Sequence, residues 1–486
     1  MVINYYLCKK NKIMLIGRKE EKNELRDALA KDEAQFIAVY GRRRVGKTFL
    51  IREAYGNDFC FQFTGSAHTS TKKQLARFRL ELKAQGLTDV MPVISSWMYA
   101  FSELRRFIEL QPKGKKVIFL DELPWMDAPR SDFLSEFEVF WNGWASAHRD
   151  IVLVVCGSST SWMVKKIFKN KGGLYNRLTR RIYLRPFTLG ECEELVHSQG
   201  IVMSHQQILD GYMIFGGIPF YWSLLRPGRS LAQEVDRLIF SDMGAMHDEF
   251  DMLYASLFNH PDSYIRIINI LAGKKNGMTR EEIIQEGKFK NNGRFSDMLN
   301  DLEWCGFIRS YYLPGKNVKD RVWQLMDNYT IFYFAFQKDK HQPADFWETV
   351  QGTPLYNTWC GLAFERVCMQ HVDQIKLKLG ISGVLTYQYA WRYQGDKTLG
   401  LKGVQIDLLI DRNDGIIDLC EMKYSKEEYA ITEAYSREMA RKASTFSQVS
   451  KTHKAVHTVM VTTYGLVPNA YAYDVQNQVV MDDLFA

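Results

Sequence analysis

The sequence has little of what marks a secreted, membrane-spanning or metal-stapled protein. Its 8 cysteines are scattered over 486 residues. No C-x-x-C pair and no matching histidine spacing accompanies them, which excludes a disulfide framework and a zinc module. They read as reduced, mostly buried thiols of a cytosolic protein. His453 and His457 lie four apart and read as ordinary solvated histidines. No apolar run approaches the length of a membrane span, and the longest, Ile151 to Cys156, is strand-sized, so no membrane contact is expected. The stretch from Met1 to Lys12 places aromatics ahead of its lysines, unlike a signal peptide, and Met1 and Met14 are both candidate starts. Internal repeats and low-complexity linkers are absent. The net charge of +7 is a mild basic excess, compatible with nucleic acid. With 46% hydrophobic and 24% charged residues the chain is ordinary globular protein. Its length points to about three domains.

What is present begins with Gly41-Arg42-Arg43-Arg44-Val45-Gly46-Lys47-Thr48, which fits G-x-x-x-x-G-K-[ST]. The glycines let backbone N–H groups approach a polyphosphate. Lys47 then reaches the β and γ phosphates, and the Thr48 hydroxyl ligates Mg²⁺. Phe36 to Tyr40 reads as a buried strand entering the loop, and Phe49 to Tyr55 as a helix leaving it with its N-terminus toward the phosphates. Lys115 to Glu122 is a second buried strand ending in two acids, at the edge where open α/β sheets place ligands. Asp121 would hold Mg²⁺ through water and Glu122 would polarise the attacking water. Gly157-Ser158-Ser159 follows the strand Ile151 to Cys156 and offers a small polar sensor of the γ phosphate. Arg177 or Arg180, ahead of the strand Ile182 to Leu184, would stabilise transition-state charge.

The entry Ile16-Gly17-Arg18 resembles the segment that packs over adenine in AAA-like and STAND ATPases. With the P-loop, the Asp-Glu ending, Gly-Ser-Ser, Leu174-Tyr175-Asn176-Arg177 and Gly216-Gly217-Ile218-Pro219, the first half of the chain resembles the archaeal-type ATPases of the STAND group. The resemblance implies that Arg18 contacts the nucleotide and that Arg177 acts in catalysis. Asn176 departs from it, standing where glycine is expected.

From Leu231 to Phe258 the pattern is helical. Ile265, Ile268, Leu271 and Ala272 then form one apolar face, Thr279 caps a second helix, and Phe295, Met298, Leu299, Leu302 and Cys305 space a third. Strands from Arg309 to Leu313 and from Arg321 to Leu325 make this a winged helix. Lys288, Lys290 and Arg294 crowd the approach to the third helix, while Asp297, Asp301 and Glu303 are expected along its polar side, where they would repel phosphate. DNA contact and a packing role both stay open.

The last third contains a helix from near Leu355 with Glu365, strands over Val384 to Tyr393, Val404 to Ile410 and Ile416 to Lys423, a helix from Glu427 to Phe446 and a strand near Val459. The turn Asp411 to Gly415 centres a hairpin that sets Asp407 opposite Glu421, with Lys423 on the same face as Glu421. This D…E-x-K hairpin with an upstream helical Glu resembles the PD-(D/E)-x-K nuclease core. That resemblance implies Mg²⁺ at Asp407 and Glu421, support from Glu365 and a water-positioning Lys423. The proline-aspartate pair of that family is missing before Asp407. Nearly the whole chain resembles the archaeal-ATPase family with a DUF234 C-terminal domain.

The expected fold is α/β. A P-loop NTPase parallel sheet covers 14–190, a helical lid 191–258, a winged helix 259–340 and a restriction-endonuclease-like αβββαβ domain 350–486. The expected function is ATP binding and hydrolysis, with ATP and Mg²⁺ as cofactors, controlling a DNA-acting nuclease-like domain. The alternative is a STAND-type nucleotide-dependent switch whose C-terminal domain binds DNA or protein without cutting, and a third is a scaffold that contacts no nucleic acid. DNA and further copies of the chain are the expected partners.

Overall fold

The computed structural model describes residues 15–87, 91–169, 172–258, 260–311, 321–338, 342–396 and 401–486. The choice of start at Met1 or Met14 lies outside these residues, as do Leu313 and the turn before Arg321. The chain divides into two compact units, Met1–Arg185 and Pro186–Ala486.

The first unit is built on five parallel strands, β1 (Gln35–Tyr40), β2 (Phe61–Thr64), β3 (Lys116–Asp121), β4 (Ile151–Gly157) and β5 (Arg180–Tyr183). They lie in the order β2-β3-β4-β1-β5. Strands covered on both faces read as unbroken apolar runs, and β4 is buried at every position. Helix α1 (Lys19–Ala30) precedes β1, and α2 (Lys47–Tyr55) leaves it through the glycine loop. One strand, β4, separates β1 from β3, so the loop after β1 and the acids after β3 stand about 10 Å apart along the sheet edge. Small residues after β4 leave that gap open.

The second unit holds two further sheets. In the smaller, β6 (Met278–Thr279), β7 (Ile308–Tyr311) and β8 (Val322–Leu325) pair antiparallel in the order β6-β8-β7. Three helices accompany it, α3 (Pro261–Ala272), α4 (Arg280–Gly287) and α5 (Gly293–Trp304). Thr279 caps α4 with a full capping box to Glu282. Of the acids expected on the open side of α5, Asp301 lies inside the fold instead and half-buried Glu303 is engaged by a partner. Asp301 is buried and accepts the Tyr264 hydroxyl at 3.0 Å, and Glu303 pairs with Arg321 at 2.8 Å. A carboxylate with a partner inside its own module is held there, which helical periodicity alone does not reveal. Asp297 stays exposed beside exposed Lys288, Lys290 and Arg294.

The larger sheet comprises β9 (Thr386–Asp396), β10 (Leu401–Arg412), β11 (Ile416–Lys423), β12 (Ala455–Thr462) and β13 (Asn477–Val480). Helix α6 (Pro354–Gln370) precedes it, and α7 (Glu433–Ser450) crosses between the parallel pair β11 and β12. The order is β13-β12-β11-β10-β9, with β9, β10 and β11 antiparallel. Phe446 of α7 packs on Trp391, Ile406 and Leu419 to form the core over this sheet. Strand β13 is an addition to the αβββαβ order expected from the sequence.

Candidate functional sites

The loop between β1 and α2 has the backbone a phosphate cradle needs. Gly41 and Gly46 sit at φ 141° and 92°, where side-chain-bearing residues are strained. A Cβ on Gly41 would meet the Leu184 carbonyl oxygen at 2.4 Å, whereas one on Gly46 would meet nothing within 4 Å. Val45 and Arg42 are buried, Arg43 and Arg44 half-buried. The Lys47 ammonium donates to the carbonyls of Gly41 (3.1 Å) and Arg42 (2.9 Å), so the loop folds around its own lysine.

Across the gap the side chains meet. Thr48 Oγ1 donates to Asp121 Oδ2 at 3.0 Å. The other oxygen, Asp121 Oδ1, accepts the Glu122 N–H (2.9 Å) and the Cys156 thiol (2.7 Å). Burial, then the Asp121 charge, pushes the Cys156 thiol well up, so Sγ carries the proton it donates. A hydroxyl and a carboxylate oxygen side by side are the hard donors Mg²⁺ takes, and these two residues fit it. Glu122 sits at φ 49°. Its Oε2 accepts from Ser158 Oγ (2.8 Å), Ser158 N–H (3.1 Å) and Trp125 Nε1 (3.2 Å). Ser158 was legible as a small polar group after β4. Cys156 emerges only from the strand order, and Trp125 only from the turn that closes β3.

The remaining residues singled out in this unit are placed less centrally. Arg18 is buried, donates to the Arg185 carbonyl and faces Glu21 at 3.6 Å. Arg177 is exposed in a turn and Arg180 lies within β5. Asn176 has φ 55°, the left-handed backbone that glycine supplies most easily and that asparagine tolerates.

In the second unit Leu408 stands opposite Cys420 and Leu409 opposite Leu419, so the next pair in that register is Asp407 with Glu421. A bulge in β10 between Ile406 and Leu409 interrupts its pairing with β9 at this point. Resident cations take the carboxylates. The Lys275 ammonium lies 2.8 Å from Glu365 and 3.6 Å from Asp407. Glu421 is buried and receives Lys442 Nζ at 2.7 Å and the Tyr435 hydroxyl at 3.0 Å. Lys423 lies over the Tyr435 ring, 4.8 Å from its centre. Burial first, then the Asp407 charge, lifts Glu365 to about 7. Burial alone would lower Lys275, but the Asp407 and Glu365 carboxylates raise it. A cavity of about 840 Å³ opens here, lined among others by Lys275, Glu365, Arg366, Trp391 and Asp407. Glu421 and Lys423 are not among its walls. Among the described residues no group of three or more His, Cys, Asp or Glu is arranged to hold a metal ion. Lys275 thus serves Glu365 and Asp407 while Lys442 serves Glu421, so each of these carboxylates has a cationic partner of its own chain.

Comparison with known proteins bears on the first half of the chain above all. Residues 15–223 match the model of the ATPase domain predominantly from Archaea. An uncharacterized protein of Methanocaldococcus jannaschii is 22% identical over 439 residues, 88% of this chain and 92% of that protein. An uncharacterized ATP-binding protein of the same archaeon is 44% identical over 45 residues, 9% of this chain and 76% of that protein. Among solved structures, the Walker-type ATPase of Pyrococcus abyssi is similar at a TM-score of 0.46 and 15% identity, over 66% of this chain and 96% of that one. The ORC2 protein of Aeropyrum pernix, solved as ADPNP and ADP complexes, is similar at a TM-score of 0.40 and 11% identity, over 74% of this chain and 96% of that one. Over residues 15–223 the chain is thus similar to the ATPase domain found predominantly in Archaea.

Proposed function

We propose that the chain is a Mg²⁺-dependent ATP hydrolase working as a nucleotide-dependent switch, with a C-terminal part that binds DNA without cutting it. The observation that carries the hydrolase reading is the meeting of Thr48, Asp121, Glu122 and Ser158 across the β1–β3 gap. In this reading the loop N–H groups and Lys47 bind the triphosphate. Thr48 and Asp121 hold Mg²⁺, directly or through water. Bound Mg²⁺ supplies charge neutralisation at the transferring phosphate. Glu122 takes up the proton of the attacking water, Ser158 senses the γ phosphate, and the exposed Arg177 serves charge stabilisation, in this chain or toward a second copy. Arg18 borders the nucleotide.

The DNA-binding reading rests on the three-helix module, whose shape suits a winged helix. With Asp301 and Glu303 engaged internally, the exposed Lys288, Lys290 and Arg294 face solvent with only Asp297 on α5 to oppose them. The domain bounds 14–190, 191–258, 259–340 and 350–486 are retained for this reading. The nuclease reading stays second, supported by the register that sets Asp407 opposite Glu421. The lysines at Glu365, Asp407 and Glu421 weigh against it. A cleavage assay with Mg²⁺ and Mn²⁺, with and without ATP, on single- and double-stranded DNA separates the two. Salt-dependent DNA binding without cleavage is the expected result, and metal-dependent cutting lost in Asp407→Asn would reinstate the nuclease.

A further inference from the structure

Resting on the reading of Glu122 as the water-polarising group, we infer that Trp125 is a positioning residue for it, acting through its indole N–H. Glu122 and Trp125 belong to one tight turn at the end of β3, and Trp125 donates Nε1–H to Glu122 Oε2 at 3.2 Å. The same oxygen takes both donors of Ser158. One carboxylate oxygen is thereby anchored, which leaves Oε1 as the oxygen to meet water.

The fold holds the turn that carries the indole. Gly157 at the end of β4 leaves room for Pro124, since a Cβ there would lie 2.7 Å from the proline Cδ. Gly65 after β2 does the same for the other side of the turn, where a Cβ would lie 2.5 Å from the Glu122 carbonyl oxygen and 3.2 Å from Trp125 Cβ. Gln74, fully buried, donates to the Trp125 carbonyl at 2.8 Å and to the Ser66 carbonyl at 2.7 Å, tying the turn to the loop after β2. The His68 ring stands edge-on to the indole at 5.3 Å. A donor held this firmly keeps its direction when nucleotide arrives, whereas the Ser158 hydroxyl turns about a single bond and is free to exchange Glu122 for a phosphate oxygen. Trp125, with the Ser158 backbone N–H, is the constant restraint on the carboxylate, and the Ser158 hydroxyl is the exchangeable one. Glu122 pays for its place with a left-handed backbone, the kind of strain that functional sites retain.

The test is ATP turnover of the full chain carrying Trp125→Phe, which keeps the ring and removes the N–H. We expect kcat to fall on the order of ten-fold, the worth of one hydrogen bond to a charged group, with KM and the affinity for a fluorescent ATP analogue within about two-fold. In a Glu122→Gln background the same substitution should cost little more, because the group it positions no longer accepts a proton. Trp125→His, which keeps a ring N–H, should retain more activity than the Phe variant at equal Tm. An unchanged kcat in Trp125→Phe overturns the inference. So does an equal loss in the Glu122→Gln background, which would mean that the indole acts by packing alone. If Glu122→Gln itself turns over ATP normally, the reading of Glu122 fails, whatever Trp125 does.

Discussion

At the scale of single residues, Asp121 shows how closely the first site is specified. Its two oxygens have separate duties, Oδ2 toward Thr48 and Oδ1 toward the Glu122 N–H and the Cys156 thiol. Losing one donor to a charged oxygen costs about 1.5–3 kcal/mol. Cys156→Ala should therefore raise the Mg²⁺ concentration for half-maximal ATP hydrolysis several-fold, while Cys156→Ser, which keeps a donor, should stay near the wild type. A Mg²⁺ titration at saturating ATP reads this, and identical curves for all three proteins would remove the thiol from the site. Lys47→Ala should abolish ATP binding, measured by nucleotide-dependent rise in Tm, because it removes the ammonium expected to reach the β and γ phosphates.

At the scale of elements, helix α6 carries a charge that depends on pH. Glu365 in the fold has its ordinary value of 4.5 raised to about 7, so the folded state holds a proton the unfolded chain gives up. Its contribution is fully present below about pH 4.5 and is lost as pH rises through about 7, a span worth roughly 3 kcal/mol. Glu365→Gln should gain stability over the wild type between pH 5 and pH 8, followed by urea unfolding at each pH. Lys275→Ala should lose more stability at pH 8 than at pH 5.5, since Glu365 adds its need for the ammonium to that of Asp407 only once it is ionised. A loss that is independent of pH would mean that Lys275 does not compensate Glu365. The hairpin carrying Asp407 and Glu421 was legible in the sequence because a turn with Asp414-Gly415 fixes register locally. Lys275 was not, since it lies 90 residues from Glu365 and reaches it only through tertiary packing. Tyr435 and Lys442 had a faint signal, a polar pair two helical turns apart on α7, but nothing in the pattern said which carboxylate they would meet.

At the scale of the whole molecule, two charged clusters share one chain, and the sequence revealed them unequally. The glycine loop and the Asp-Glu strand end each state their chemistry within a few residues, so both were readable before any fold. The strand order that brings Cys156 under Asp121 is a long-range property, as is the burial of Asp301. The switch reading requires the nucleotide to change what the C-terminal part does. DNA affinity measured with ATP, with ADP and with neither should differ, with a steep salt dependence in the tighter state. Equal affinity in all three would leave the two activities uncoupled. The central claim, that Glu122 acts on the water while Thr48 and Asp121 hold the metal, is tested most directly by ATP binding and turnover of Glu122→Gln measured side by side. Mg²⁺-dependent ATP binding within a few-fold of the wild type, with turnover lowered about 100-fold or more, is the predicted result. Turnover at the wild-type rate would contradict it.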